Sequence, residues 1–283
     1  MQEPAINIRL LFESDITAAM QLKQAAGWNQ TEEDWRRLLA LEPNGCFAAV
    51  KGGRLVGTTT TTTYGNELAW IGMVLVDPKE RRQGIATRLM NVALNYLNGK
   101  VATVKLDATA QGQPVYERLG FEVESVLERW SGTPNARNAR GSNVWDEDGI
   151  HDVLALDRLA FATDRSKLLK KLIDDACVPP VLLRATDGTL SGYALARRGT
   201  NADYVGPIVA KNSQDIERLL DEVLSELPEP RVYIDFNTGC SANTALLSDR
   251  GFVKERDLIR MVKGGPGRKT SPLIVAIAGP EIG

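Results

Sequence analysis

The 283-residue chain has little of what metal sites, disulfides and histidine-dependent catalysis require. It contains a single histidine, His151, and three cysteines, Cys46, Cys177 and Cys240, which lie far apart and form no Cys-x-x-Cys pair. One histidine cannot supply a metal-ligand set or a serine triad. An odd number of isolated cysteines is typical of reduced thiols in the cytosol rather than of disulfides or zinc. The sequence therefore predicts a cytoplasmic protein without a bound metal.

The chain also lacks an excess of positive charge and a long apolar segment. Its 34 lysines and arginines are outweighed by 36 aspartates and glutamates, for a net charge of -2. This balance leaves no basic face for nucleic acid. The longest apolar run near an end, residues 273–278, is far too short to span a bilayer. We therefore expect neither nucleic acid nor a membrane among the partners.

What is present is a strand that leads through a short basic turn into a helix, over residues 73–90. Asp77-Pro78 stops the strand, and apolar residues at helical spacing begin at Ile85. The turn between them includes Arg81-Arg82-Gln83-Gly84. A helix N-terminus offers unpaired backbone amides and a partial positive charge, and a glycine allows a ligand to approach closely. The pattern predicts a site for a diphosphate.

This turn is neither a Walker loop nor a Gly-x-Gly-x-x-Gly dinucleotide loop. Its Arg81-x-x-Gly84-x-Ala86 pattern resembles the acetyl-CoA motif of the GCN5-related N-acetyltransferase (GNAT) family. Three further features stand in the order of that family: a long antiparallel strand pair over residues 53–76, a strand over 103–107, and a Tyr-Glu-x-Leu-Gly-Phe signature at 116–121. The resemblance covers residues 5 to 130.

The second half repeats landmarks of the first half in the same order. Residues 53–57 recur at 188–192, residues 70–76 at 204–210, residues 106–107 at 234–235, and residues 118–121 at 249–252. Several landmarks in one order at nearly one spacing indicate duplication. Together with the runs at 27–35 and 106–109, this duplication resembles a bacterial subgroup with two tandem GNAT-like domains.

We therefore predict an α/β protein with a mixed sheet, built from two tandem GNAT-like acyl-CoA N-acyltransferase folds. The second fold is predicted to be degenerate, because residues 211–217 lack the Arg-x-x-Gly-x-Ala pattern and Leu247 stands where Tyr116 stands in the first copy. The predicted boundaries give a catalytic GNAT N-acetyltransferase domain over 1–131, a linker over 132–142, a degenerate GNAT-like domain over 143–264, and a C-terminal tail over 265–283 that packs on the domains.

The resemblance implies that the first domain transfers acetyl from acetyl-CoA to a primary amine of a small molecule or peptide by direct attack. Two alternatives stay open: a non-catalytic acyl-CoA-binding regulatory module, and an enzyme that acylates the precursor of a small thiol metabolite. The expected cosubstrate is acetyl-CoA, and no metal is expected. The chain is expected to be a monomer or a homodimer.

Two residues are predicted to carry the chemistry. The resemblance implies that Tyr116 is the acid that protonates the departing thiolate, because the tyrosine at this motif position lies near the thioester sulfur in related enzymes and a phenol is protonated at neutral pH; the alternative is a tyrosine that only packs in its helix. Asp107 directly follows the predicted strand 101–106, at the point where the family separates two strands to admit the thioester, and the resemblance therefore makes it the candidate base; the alternative is an Asx turn. Deprotonation of the amine through ordered water also stays open.

The resemblance further implies backbone contacts from the strand and the turn to the cofactor, with Thr109 or Gln111 as the substitute in a loop where many family members have asparagine. The predicted cofactor-binding residues are Val74, Leu75, Val76, Arg81, Arg82, Gln83, Gly84, Ile85, Ala86, Thr87 and Thr109.

The predicted acceptor-binding residues are Trp28 and Asn29, which fall between two predicted helices, 16–26 and 32–41. A plainer interpretation is a helix connection, in which Thr31-x-x-Asp34 is a relative of the capping box. The six threonines 58–63 predict a β-branched strand whose alternate hydroxyls line the cleft or simply pack.

Overall fold

The computed structural model describes residues 5–134, 145, 147–228, 231–265 and 270–283, in which eight α-helices and twelve β-strands are formed. These residues fall into two compact units. Those of the first unit lie within 1–122, 261–267 and at 282, and those of the second within 123–260, 268–281 and at 283. Among the described residues, no helix has both the length and the apolar character needed to cross a bilayer.

The first unit contains nine of these elements. They are β1 (Ile6–Leu10), α1 (Ile16–Ala25), α2 (Glu32–Leu41), β2 (Phe47–Lys51), β3 (Arg54–Tyr64), β4 (Leu68–Val76), α3 (Ile85–Leu97), β5 (Thr103–Ala108) and α4 (Gln113–Arg118). Strands β1 to β4 pair as antiparallel neighbours in chain order, and β5 pairs with β4 in parallel. The predicted mixed sheet is confirmed.

Helix α3 covers one face of strand β3. The buried residues of α3 are Ile85, Leu89, Met90, Ala93 and Leu97. The side chains of Ile85 and Leu89 lie so close to Gly57 that a Cβ there would touch both. Full burial of a leucine side chain contributes about 1.5–3 kcal/mol. Thr58 to Thr62 are all buried, so both faces of β3 are covered. Helices α1 and α2 also contact β3.

The second unit contains the remaining elements. They are β6 (Glu122–Gly132), α5 (Glu147–Phe161), α6 (Ser166–Asp174), β7 (Val181–Arg184), β8 (Leu190–Arg197), β9 (Asp203–Ala210), α7 (Ser213–Glu226), β10 (Val232–Asn237), α8 (Ala245–Ser248), β11 (Phe252–Gly264) and β12 (Ile274–Ala276). Strands β7, β8 and β9 are antiparallel neighbours, and β9 pairs in parallel with β10. This order repeats the pairing of β2, β3, β4 and β5, as the sequence duplication predicts.

Two strands are shared between the units in a way that the local sequence does not reveal. Strand β6 follows the Tyr-Glu-x-Leu-Gly-Phe signature, yet all but its first residue lie in the second unit, where it pairs with β10. Strand β11 starts in the second unit, and its residues 261–264 lie in the first. Most of the predicted linker, residues 135–142, lies outside the described residues.

Candidate active site

A β-bulge interrupts the ladder between β3 and β4. Thr58 pairs with Leu75 and Thr60 pairs with Gly72, so Met73 and Val74 together face the single residue Thr59. Met73 has a φ of 50°, a left-handed conformation that is uncommon for methionine. The Thr58 hydroxyl donates to the Met73 carbonyl at 2.8 Å. Because a bulge leaves its extra residue out of the ladder, backbone polar groups become available to a ligand here.

Strands β4 and β5 separate directly beside this bulge. Their parallel pairing covers Leu68 to Trp70 on β4 and Thr103 to Lys105 on β5. Both strands continue, β4 to Val76 and β5 to Ala108, but within the described residues they are not paired with each other there. A gap therefore opens along the second half of β4.

The backbone of Val76 faces this gap. The Asp77 amide donates to the Val56 carbonyl at 2.9 Å, which makes the neighbouring pair, Gly57 and Val76, a non-hydrogen-bonded pair of the antiparallel ladder. Backbone groups of such a pair point away from the partner strand. The Val76 carbonyl accepts a hydrogen bond from Nε of Arg81 at 3.4 Å. Val74 and Val76 are half-buried, whereas the side chain of Leu75, between them, is buried.

The turn after β4 is held by the carboxylate of Glu80. Its Oε2 accepts from Nζ of Lys51 at 2.9 Å and from Nε2 of Gln83 at 3.0 Å, and its Oε1 accepts from Nη2 of Arg54 at 2.8 Å. Arg54 also donates to Asp77. These residues were not identified from the sequence, since Lys51 and Arg54 precede the turn by a whole hairpin.

The charges of the turn set the ionisation of its two carboxylates. The hydrogen bond from Lys51 holds the pKa of Glu80 below its ordinary value. The backbone amide of Lys79, followed by the guanidinium of Arg54, lowers the pKa of Asp77. Both groups are therefore anionic at neutral pH, and they offset the cations that surround them.

The end of the turn exposes the start of helix α3. Arg82 and Gly84 have φ angles of 65° and 74°, and a Cβ at Gly84 would meet nothing within 4 Å. Glycine is therefore required there by its backbone conformation and not by crowding within the protein. Helical bonding begins with the Arg88 amide, which donates to the Gly84 carbonyl at 3.0 Å. The amides of residues 85–87 thus belong to the first turn of the helix, beside the exposed side chains of residues 81–83, an arrangement that suits an anion.

Tyr116 lies on α4, and only 9% of its surface is exposed. Its ring meets that of Phe121 edge-on, with centroids 6.2 Å apart. A Cβ at Gly112 would lie 3.0 Å from the Tyr116 ring, so the small residue leaves room for it. Burial raises the pKa of Tyr116, and no hydrogen bond within the described part of the chain contributes to the shift. The phenol is therefore protonated at neutral pH.

Thr109 begins the loop that leads into α4. Its carbonyl accepts from the amides of Gly112 at 2.9 Å and Gln113 at 3.0 Å, and its hydroxyl accepts from the Gly112 amide at 3.3 Å. Thr109 thus has a structural role at the start of this helix, and its predicted contact with the cofactor stays a prediction.

Asp107 lies beside the gap on the same face of the sheet as several buried polar residues. Strand β5 runs through Asp107 to Ala108, one residue beyond it. Trp70 pairs with Lys105 and with Thr62, and paired residues share a face, as do residues two apart on a strand. Asp107 therefore lies on the face of Thr60 and Thr62.

The threonines of β3 differ in how their hydroxyls are used. Those of Thr58, Thr59 and Thr61 donate to backbone carbonyls, and that of Thr63 donates to Glu42 at 2.5 Å. The hydroxyls of Thr60 and Thr62 are buried and have no hydrogen-bond partner among the residues that the structure describes. Two unsatisfied hydroxyls on one face are costly, since each loses its hydration without compensation.

The connection between α1 and α2 carries the two predicted acceptor-binding residues. Trp28 is half-buried and Asn29 is buried. The capping box is present: the Thr31 amide donates to Oδ2 of Asp34 at 2.8 Å, and the Asp34 amide donates to the Thr31 hydroxyl at 3.4 Å. The plainer interpretation thus describes this segment, and a role of Trp28 and Asn29 in acceptor binding stays a prediction.

A buried lysine nearby was not identified from the sequence. Lys23, on α1, is only 1% exposed. Burial lowers the pKa of its ammonium group, and Asp34 opposes the shift. The sequence did carry a signal for this burial, because the helical spacing places Lys23 on the apolar side of α1.

The second unit lacks the turn at the corresponding place. Residues 77–84 separate β4 from α3, but only Lys211 and Asn212 separate β9 from α7. The start of α7 is capped by its own chain, because Oδ1 of Asn212 accepts from the Asp215 amide at 2.9 Å. The buried Leu247 stands on α8, the counterpart of α4. The exposed helix start at Gly84 therefore has no counterpart between β9 and α7.

The counterpart of Asp107 in the second unit, Asp235, is fully buried in an ion pair. Its carboxylate accepts from Nε and Nη2 of Arg129 at 2.7 and 2.6 Å, and from the Tyr204 hydroxyl at 3.0 Å. Three hydrogen bonds from two side chains of the second unit therefore hold this carboxylate in the fold.

Comparison with known proteins finds two GNAT domains along the chain. Residues 14–121 match the profile of the acetyltransferase (GNAT) family, and residues 153–272 match a second acetyltransferase (GNAT) domain profile. An uncharacterized N-acetyltransferase, YitH, of Bacillus subtilis is 27% identical over 87% of this chain and 87% of its own length. Holothin acyltransferase of a Pseudoalteromonas species is 24% identical over 92% of this chain and 88% of its own.

A solved structure has the same fold over nearly the whole length. A Pyrococcus horikoshii protein assigned to the acetyltransferases superposes with a TM-score of 0.82 and 23% identity, over 98% of this chain and 96% of that one. Members of the GNAT fold family use acetyl-CoA. With two GNAT domains matched in order and a duplicated mixed-sheet fold, the chain belongs to the GNAT acyltransferases and is a tandem member of that family.

Proposed function

We propose that the first unit binds acetyl-CoA and transfers its acetyl group to a primary amine of a small molecule or peptide by direct attack. The observation that carries the proposal is the separation of β4 from β5 beyond Trp70, directly beside the bulge at Met73 and Val74. A gap of this kind admits a thioester between two strands, next to backbone groups that are not used in the ladder.

Two parts of the first unit would hold the cofactor. The backbone of Val74 and Val76 would pair with the amides of pantetheine, in the manner of an added strand. The amides of residues 82–87 would hold the diphosphate, with Arg81 and Arg82 screening its charge. The side chain of Gln83 is bonded to Glu80 and Lys51, so it orients the turn instead.

The thioester supplies an activated acetyl group, and residues of this chain manage the protons. The amine must lose a proton to attack, and Asp107, or water ordered beside it, takes that proton. The amine nitrogen then bonds to the carbonyl carbon, and an amide of the bulge stabilises the oxyanion. As the carbon–sulfur bond breaks, the Tyr116 hydroxyl donates a proton to the sulfur. The products are an amide and the CoA thiol.

A second candidate acceptor class comes from two further relatives. Mycothiol acetyltransferases of two Mycobacterium strains are each 33% identical over 114 residues, 36% of this chain, so acylation of the precursor of a small thiol metabolite is the alternative enzymatic function. The same gap and the same acid would serve both acceptor classes. The difference would lie in the residues near Trp28 and Asn29 that face the acceptor.

Binding of acetyl-CoA to the full chain is tested by calorimetry. Gly84→Glu is expected to abolish binding, because it places a carboxylate at the diphosphate site. Gly65→Glu is the matched control: Gly65 also has a left-handed φ, of 62°, and open space around it, but it lies in the turn at the other end of β3. If the native chain fails to bind, or if Gly84→Glu binds normally, the proposed site is wrong.

Turnover is tested by release of the CoA thiol with a panel of amines, polyamines, amino acids, aminoglycosides, peptides and holothin. Thiol release that depends on one of these acceptors would identify the acceptor class. Tight binding of acetyl-CoA without thiol release on the whole panel would instead favour a non-catalytic acyl-CoA-binding module.

A further inference from the structure

The C-terminal tail occupies the gap of the second unit. Strands β9 and β10 pair in parallel at residues 203–205 and 232–234, and beyond these residues β12 lies between them. Strand β12 is antiparallel to both: Ile274 and Ala276 pair with β9, and Ala276 also pairs with Phe236 of β10. The separation of β9 from β10 thus repeats that of β4 from β5, but a strand of the same chain fills it.

The tail bonds to the counterpart of the backbone that is proposed to bind pantetheine. In the sequence repeat, Ala210 corresponds to Val76. The Lys211 amide donates to the Ser191 carbonyl at 2.9 Å, as that of Asp77 does to Val56, so the Ala210 amide points away from β8. It donates to the Leu273 carbonyl at 3.0 Å. A carbonyl of the tail therefore accepts the hydrogen bond whose counterpart in the first unit, from the Val76 amide, is proposed to go to pantetheine.

On the β10 side of the gap, a side chain forms hydrogen bonds to the tail. Asn237 is the counterpart of Thr109, and its Nδ2 donates to the carbonyls of Ile274 at 2.8 Å and Ser271 at 3.3 Å. The Ile277 amide donates to the Asp235 carbonyl at 3.1 Å. The tail is thus bonded to both strands.

The tail also fills the volume of the gap. Val275 and Ala276 are fully buried and belong to the apolar core that includes Phe236 and Leu247. A Cβ at Gly206 would overlap the Ile277 carbonyl, so the tail backbone passes directly over this glycine. No room for an acyl-CoA is left while the tail is in place.

We infer that residues 273–277 act as a resident ligand of the second unit, held in the cleft where an active GNAT domain takes the pantetheine arm, and that this unit binds no acyl-CoA. The parallel with pantetheine rests on the acetyl-CoA site proposed for the first unit. The contacts of the tail do not depend on that site. The short connection between β9 and α7 agrees, since it offers no diphosphate site.

The inference is tested with the full chain and acetyl-CoA. Calorimetry is expected to give one acetyl-CoA per chain, and hydrogen exchange is expected to show added protection at residues 71–87 and none at 205–212. A stoichiometry of two, or added protection at 205–212, would overturn the inference. A stoichiometry of zero would count against the proposed function only, because the tail can still be tested without a ligand.

That ligand-free test is Asn237→Ala, which removes two hydrogen bonds from the tail and leaves the apolar contacts in place. Hydrogen exchange at residues 205–211 and 273–277 is expected to become at least tenfold faster, with acetyl-CoA affinity unchanged. Gln214→Ala, an exposed change on α7 of the same unit, is the control and is expected to alter neither. Unchanged exchange in Asn237→Ala would mean that the tail is not held by this cleft, and would contradict the inference.

Discussion

The Nζ of Lys51 lies 2.9 Å from Oε2 of Glu80, so the end of β2 is tied to the turn that precedes α3. Both side chains are 12% exposed, and Arg54 and Gln83 share the same carboxylate. A single anion therefore fixes the shape of a turn whose remaining charged groups are mainly cationic. The backbone that is proposed to hold a diphosphate depends on this anion.

Replacing this carboxylate with an amide is expected to destabilise the first unit. Glu80→Gln leaves Lys51 and Arg54 without their shared anion, and we expect the melting temperature to fall by about 2–4 °C. The control is Glu32→Gln, since Glu32 pairs with Arg36 on the exposed surface of α2 and such pairs contribute little. Equal shifts for both variants in a thermal melt would show that Glu80 has no special role.

The lowered pKa values of the two carboxylates in this turn predict that the protein loses stability in acid. Folding lowers the pKa of Glu80 and of Asp77, so their contribution is present above their ordinary pKa of about 4 and is lost as the pH falls through the lowered values. The difference in melting temperature between the native chain and Glu80→Gln should therefore be constant from pH 7 to 5 and shrink below about pH 4. If the difference in melting temperature instead grew as the pH fell, the prediction would be wrong.

Removing the Tyr116 hydroxyl is expected to affect turnover and not stability. Tyr116→Phe should lower kcat at least tenfold, with the Kd of acetyl-CoA and the melting temperature nearly unchanged, because no hydrogen bond within the described residues involves this hydroxyl. Since burial raises the pKa of Tyr116, its ionisation should not reduce kcat at any pH up to about 10.

The matched control for this variant is Tyr96→Phe. The Tyr96 hydroxyl donates to Oε1 of Glu42 at 2.5 Å, so its loss should cost stability and leave kcat unchanged. An unchanged kcat in Tyr116→Phe would rule out the assignment of Tyr116 as the acid.

Asp107 and Asp235 stand at equivalent positions, but we expect the substitution of Asp235 to affect mainly stability and that of Asp107 to affect mainly activity. Asp235→Asn leaves Arg129 buried without a full countercharge, and removing one member of a buried pair costs about 3–5 kcal/mol. Asp107→Asn should change the melting temperature less, but lower kcat/KM at least tenfold if Asp107 takes the proton. Thermal melts and initial rates measure both effects. Full activity of Asp107→Asn would leave water as the base.

The threonine strand offers a test on two adjacent residues. Thr60→Val removes a buried hydroxyl that has no partner in the described part of the chain, so stability should stay the same or rise. Thr61→Val removes a hydroxyl that donates to the Gly45 carbonyl at 3.0 Å, so stability should fall by about 1 kcal/mol. Because Thr60 lies on the face of Asp107, beside the bulge, we also expect Thr60→Val to raise KM for the amine several-fold. Denaturant titrations and initial rates measure these effects, and a loss of stability in Thr60→Val would contradict the first.

Local signals in the sequence predicted the parts of the site that lie on one short segment. The stop at Asp77-Pro78, the glycine at position 84 and the apolar spacing from Ile85 each follow from a backbone preference of nearby residues, and the structure has the strand, the turn and the helix there. The duplication could also be recognised from the sequence, because the repeated segments are short and follow one another in the same order in both halves.

Contacts between distant segments could not be predicted in this way. The link from Lys51 to Glu80 depends on the pairing of β2 with β3, and the position of the tail depends on the gap between β9 and β10. The sequence predicted that residues 265–283 pack on the domains, but periodicity does not specify which strands separate to receive them. The bulge at Met73 was likewise invisible, as methionine rarely adopts a left-handed φ.

The division of β6 and β11 between the two units bears on whether the two halves of the chain can fold separately. A gene cut at the linker would leave β6 on the first fragment, although β10 needs it as a neighbour, and would leave residues 261–264 on the second, although they belong to the first unit. Each fragment would carry a strand that it cannot use and lack one that it needs. The duplicated protein is thus committed to remaining one chain, which would keep the second copy in place even if only the first copy performs the reaction.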